Sequence, residues 1–335
     1  MKINMKSWLA EQYSAVKKKA MPVLSFPSVS LLGVNVIELV NSSELQAEGM
    51  RLIAERTNSL ASVSFMDLSV EAECFGASVH FADDEVPTIV GKLINDPEDA
   101  DKLQVPSVGS ARSGIYVEAI EKAVKRIEDR PVFAGMIGPF SLSARLMDVS
   151  DAMVYCYDEP EMVETVLEKT TEFLIEYAKA YKSAGAHGVV IAEPVAGMLS
   201  PTLEEEFSAP YVKRIVDAVQ DDTFIVIYHN CGNNVLRMTD SISTIGAAAY
   251  HFGNAIDMES VIKQMPENVL MMGNVDPAGV LREGTVEDVT KATCELMKKC
   301  SPYANFIPSS GCDIPPLTPW ENISAFFEAV DNFEG

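Results

Sequence analysis

From about residue 61 onward, short apolar runs alternate with longer stretches of helical periodicity, the pattern left by successive parallel strand–helix units. Apolar or β-rich runs predict strands over 63–68, 132–137, 188–192, 224–228, 247–251, 269–272 and 305–308. Seven runs leave an eight-stranded barrel one strand short. The clearest helix follows Asp158-Glu159-Pro160: Val163, Val166, Leu167, Thr170, Phe173, Leu174, Tyr177 and Tyr181 fall on one face, and Gly185 ends the run. Further helices are expected over 114–127, 203–220, 286–299 and 319–332, and residues 76–86 read as a β excursion. Ahead of the first run come an amphipathic helix over 3–19, a Pro/Ser-rich loop over 22–30 and a helix over 44–58. The expected fold is a single α/β domain, a (β/α)8 TIM barrel over 61–335 with an N-terminal helical extension, 1–60, packed on it.

Composition narrows the function classes. Of the 335 residues 47% are hydrophobic and 22% charged, which suits a globular chain with a large core. The formal charge is −23, from 49 acids against 26 bases, so nucleic acid is not an expected partner. No stretch approaches the roughly 18 consecutive apolar residues of a membrane helix, and Pro22 and Pro27 interrupt any signal-peptide core. A cytoplasmic protein is expected, and its six cysteines are then reduced thiols, some of them free to act as ligands.

The chemistry concentrates at predicted strand ends. In Tyr228-His229-Asn230-Cys231-Gly232 a buried strand runs into a polar turn, and the i, i+2 spacing lets His229 and Cys231 reach one point above a barrel. Cys312, in Ser309-Ser310-Gly311-Cys312-Asp313, lies just past the last predicted strand and offers a third soft ligand. A His-Cys-Cys set suits zinc with a fourth position open or weakly held. Glu193, in Ile191-Ala192-Glu193-Pro194, ends another strand and is a candidate exchangeable ligand or nearby base. Alone, a His-x-Cys pair on a strand more often packs a core than binds a metal. Cys74, Cys156, Cys294 and Cys300 read as structural thiols, and His80, His187 and His251 as packed histidines, with lining of the pocket as the alternative for His251, which ends a strand. Gly273-Asn274-Val275-Asp276-Pro277 places Asn274 or Asp276 at the mouth, or simply makes the turn; no glycine-rich phosphate loop is present.

Over most of its length the chain resembles the uroporphyrinogen decarboxylase superfamily, and within it the methylcobamide:coenzyme M methyltransferases. The segments that carry the resemblance are Ala192-Glu193-Pro194-Val195-Ala196 with Leu199-Ser200-Pro201, His229-Asn230-Cys231-Gly232-Asn233, Gly273-Asn274-Val275-Asp276-Pro277, and Gly311-Cys312 followed by Pro315 through Asn322. The resemblance implies zinc ligands at His229, Cys231 and Cys312, a carboxylate role for Glu193 where that branch often has Asp, and a pocket role for Asn274. It further implies methyl transfer from a methylcobamide on a corrinoid carrier protein to a thiol such as coenzyme M, with a tetrahydrofolate-type pterin as the alternative acceptor. The decarboxylases carry an arginine-rich N-terminal segment, whereas residues 22–39 here contain no arginine; Phe65-Met66-Asp67 does resemble the segment bearing their central aspartate, which gives Asp67 a place in the pocket. They also have a His before the Gly where this chain has Ser310. A third reading is a non-catalytic tetrapyrrole-binding protein with a closed, structural zinc.

Overall fold

The structure is a computed structural model that describes residues 3–334. Among the described residues are nine strands: β1 (Ser62–Val63), β2 (Ser78–His80), β3 (Thr88–Val90), β4 (Val132–Ile137), β5 (Gly188–Ala192), β6 (Ile225–Asn230), β7 (Ala249–Phe252), β8 (Leu270–Val275) and β9 (Phe306–Ser310). Seven of them form one parallel sheet in the order β1-β4-β5-β6-β7-β8-β9, with helices in the crossovers. The sequential order is that of an α/β barrel wall. The other two, β2 and β3, pair antiparallel and make up the expected excursion after the first strand.

The strand missing from the sequence pattern has a physical counterpart. Residues 20–24 run between the sheet edges: Met21 N–H donates to Pro308 C=O at 2.9 Å, and Leu60 N–H, just ahead of β1, donates to Ala20 C=O at 2.9 Å. Side chains reinforce the seam, because Ser309 Oγ donates to Met21 C=O at 2.7 Å and Val23 N–H donates to Ser310 Oγ at 3.1 Å. Part of the expected loop over 22–30 is therefore wall. The first helix is correspondingly shorter than expected, Met5–Ser14, since Ala15 already has extended backbone. The expected helix over 203–220 is two, Pro201–Phe207 and Ala209–Val219, which meet at the non-helical Ser208.

Strand alternation sorts side chains into two layers. Val226, Tyr228, Tyr250, Met271 and Phe306 pack outward with the helices, whereas Val190, Ala192, Ile225, Ile227, Ala249, Leu270, Met272 and Ile307 face inward. Met21 and Val23 join the inner group, as do Met5 and Trp8 of the first helix, and the Trp8 ring lies 6.0 Å from that of Phe133. That helix closes the N-terminal end of the interior. Each buried aliphatic or aromatic side chain contributes about 1.5–3 kcal/mol by leaving water, so the filled interior holds the strand ends at the opposite mouth in place.

Candidate metal centre

The inward column Ile225, Ile227 of β6 continues to His229 two residues on, and Cys231 follows directly after the strand. His229 is thus the first polar residue of a packed column, and it is buried. Cys312 arrives from the loop that leaves β9. The ligand-capable atoms of His229, Cys231 and Cys312 all lie within 4.8 Å of one another, and Cys312 Sγ is 3.5 Å from His229 Nε2. For tetrahedral zinc with Zn–S of about 2.3 Å and Zn–N of about 2.0–2.1 Å, the N···S edge is about 3.6 Å, so the donor set fits the ion in both chemistry and spacing. Gly253 contributes by lacking a side chain: a Cβ there would sit 2.6 Å from Cys231 Cα, and the loop after β7 could not lie against the cysteine.

The two thiols are coupled. The Cys312 thiol beside it, together with the neighbouring His229, lowers the Cys231 pKa, while Cys231 and burial raise that of Cys312. The trio therefore stabilises negative charge on one sulfur, that of Cys231, the state in which a cysteine ligates metal. Above it lies a small cavity of about 80 Å³, walled by Val23, Met66, Leu68, Ala192 and Pro194 beside the three ligand-type residues and Asp313. Asp313 is half-buried beside Cys312, and removal of its carboxyl from water raises its pKa well above its ordinary value.

Behind the trio, the register pairs His229 of β6 with His251 of β7. The two Nδ1 atoms are 2.6 Å apart, His229 Nδ1 is 3.3 Å from the His251 carbonyl, and His251 Nε2 is 2.9 Å from Ser309 Oγ. Burial first, and then His229, lower the His251 pKa well below its ordinary value, so the ring is neutral. Read from sequence as a packed histidine, His251 instead contacts a ligand-type residue. Equivalent positions at the ends of adjacent predicted strands were the signal for it; for Ser309 and Asp313 the signal was adjacency to Gly311-Cys312.

The remaining sequence candidates sit elsewhere. Glu193 is fully buried at the start of the helix Pro139–Met147, where its carboxylate accepts from Phe140 N–H and Ser141 N–H, each at 2.9 Å, and from Ser141 Oγ at 2.6 Å. Burial pushes its pKa up to about 7 against those bonds. Capping that helix uses both oxygens, and the structure does not bring Glu193 into the trio. Asp67 accepts from Arg112, Tyr116 and Ser69 in a buried network. Its neighbours Met66 and Leu68 line the cavity, but its own carboxylate is occupied. Asn274 donates from Nδ2 to the carbonyls of Gly253 and Ile256 at 2.8 and 2.9 Å, which pins the loop after β7 rather than facing the cavity. Asp276 accepts from Ala278 and Gly279 N–H and makes the turn.

Comparison with known proteins matches the chain to a family. The profile described as uroporphyrinogen decarboxylase (URO-D) matches residues 19–333. A methylcobamide:CoM methyltransferase of Methanosarcina acetivorans is 28% identical, with 96% of this chain and 97% of that protein covered. A uroporphyrinogen decarboxylase of Coxiella burnetii is 27% identical over 89% of this chain and 84% of its own. Among solved structures, a methyltransferase from Methanosarcina mazei superposes with a TM-score of 0.87 at 23% identity, covering 99% of both chains, which establishes the common fold. With the profile spanning the barrel from residue 19 to 333, the chain belongs to the uroporphyrinogen decarboxylase family.

Proposed function

We propose that the protein is a zinc-dependent methyltransferase that moves a methyl group from a methylated corrinoid to a thiol such as coenzyme M. The observation that carries this reading is the His229, Cys231 and Cys312 trio at the floor of a small, largely apolar cavity. Bound there, zinc supplies Lewis acidity that lowers a thiol's pKa, so that the attacking sulfur is a thiolate at neutral pH. The chain's own residues do the rest. Val23, Met66, Leu68, Ala192 and Pro194 exclude water from the reacting sulfur. Glu193 holds the helix Pro139–Met147 against the end of β5, a supporting role.

In the reaction the thiolate sulfur attacks the methyl carbon in line; the S–C bond forms, the Co–C bond breaks with its electron pair left on cobalt, and the thiol proton passes to solvent. The corrinoid itself is the good leaving group, so orientation is the protein's main contribution. Carried by its own protein, it docks over the mouth, where Met198 after β5 and Leu317 after β9 expose apolar side chains. The methylcobamide:CoM methyltransferase relative supports this donor and acceptor pair. The six unpaired cysteines suit a reducing cytoplasm as the setting, and among the described residues no helix is long and apolar enough to cross a membrane. Against the decarboxylase alternative stand the absence of arginine from residues 22–39 and Ser310 in place of a histidine.

Incubation of the zinc-loaded protein with methylcobalamin, and with either coenzyme M or tetrahydrofolate, tests the assignment. Methylated thiol with loss of the methylcobalamin spectrum is expected. Turnover with the pterin and none with any thiol would transfer the function to the alternative acceptor.

A further inference from the structure

The polar chain behind His229 has a direction, and the direction fixes which of its nitrogens is left for a metal. Both groups against His229 Nδ1 have acceptor capacity: the His251 carbonyl at 3.3 Å, which only accepts, and His251 Nδ1 at 2.6 Å. At the other end, Ser309 spends its single hydroxyl proton on the Met21 carbonyl at 2.7 Å, so towards His251 Nε2, 2.9 Å away, its oxygen accepts. A neutral histidine that donates from Nε2 presents a lone pair at Nδ1, and that lone pair takes the His229 Nδ1 proton. His229 is then left with an unprotonated Nε2, the atom 3.5 Å from Cys312 Sγ.

We propose that His251 and Ser309 are positioning residues that, anchored on the Met21 carbonyl, hold His229 in the Nδ1–H tautomer and aim its Nε2 at the metal. The proposal rests on the zinc reading given above and adds to it the residues that select the ligand atom. It also gives residues 20–24 a function beyond wall-building, because the serine that sets the direction of the chain is oriented by a carbonyl in that segment. Partners of ligating histidines that fix the tautomer alter metal affinity by roughly ten- to a hundredfold when removed.

Two measurements test the relay. Zinc affinity is measured by chelator competition for wild type, Ser309→Ala, Ser309→Thr and His251→Phe. A fall of roughly ten- to a hundredfold is expected for Ser309→Ala and His251→Phe, with recovery in Ser309→Thr, which keeps a hydroxyl. The second measurement, ¹⁵N-histidine NMR of the wild type with and without zinc, reads the tautomers without any substitution. Protonated Nδ1 on His229 and protonated Nε2 on His251 are expected in both states. Zinc bound equally by wild type and Ser309→Ala, or a His251 protonated at Nδ1, would overturn the relay while leaving the zinc reading standing. Wild-type protein that takes up no zinc would overturn the metal reading, and the relay's purpose with it.

Discussion

Three glutamates are buried with little to neutralise them, and each bears on stability as a function of pH. Burial pushes Glu71, Glu193 and Glu204 up to about 7 from an ordinary value of 4.5. The native state therefore binds their protons more tightly than the unfolded chain does. Each contributes stability that is complete below about pH 4.5 and is lost as pH rises through about 7. Glu204 is the cleanest probe, since neither of its oxygens has an ordinary hydrogen-bond partner and it is no part of the metal trio. In Glu204→Gln the decline in melting temperature between pH 5 and 7.5 is expected to be shallower than in wild type. An unchanged slope would mean that burial of this carboxyl is compensated. At this scale the meeting of His229, Cys231 and Cys312 was legible in the sequence, because strand alternation puts residues i and i+2 on one side and His229-Asn230-Cys231 falls at a strand end. His251 and Ser309 were not. A lone histidine and a serine look like packing until strand register sets them beside His229.

The gap between the two sheet edges is bridged by an element that carries no strand signature. Apolar runs of parallel strands were readable because both faces are buried, and all seven anticipated runs sit within or overlap the strands found. Four of them were cut short at their C-terminal ends, since Asn230, Phe252, Asn274, Ser309 and Ser310 belong to strands, yet a polar residue usually ends a hydrophobic run on paper; the first instead ran past β1, which ends at Val63. The mouth of a barrel is where polar residues are wanted. Residues 20–24 escaped for a different reason: Pro22 lacks an N–H and sits among loop-like residues, but Met21 and Val23 make the contacts to β9 that matter. The prediction at this scale concerns that seam. Removal of residues 1–24 exposes the β1 and β9 edges and takes Met5, Trp8, Met21 and Val23 out of the interior. The truncated chain is expected to be insoluble or to lack a cooperative thermal transition by circular dichroism. A soluble, cooperatively melting 25–335 fragment would show that the N-terminal segment is an appendage.

At the scale of the whole molecule, the filled interior, the helix that closes its N-terminal end and the seam at residues 20–24 all hold one set of strand ends in register. The payoff of that rigidity is the meeting of β6 and the loop after β9 at a single point, which brings Cys312 to His229 and Cys231. Conversely, a metal held by all three ties distant parts of the wall together. Zinc content by elemental analysis tests this most directly, on wild type, Cys231→Ala and Cys312→Ala purified without added metal. The account predicts one zinc per wild-type chain and its loss from both variants, each still folded by circular dichroism. Wild-type protein devoid of zinc, or variants that retain it in full, would contradict the site and the thiol chemistry built on it.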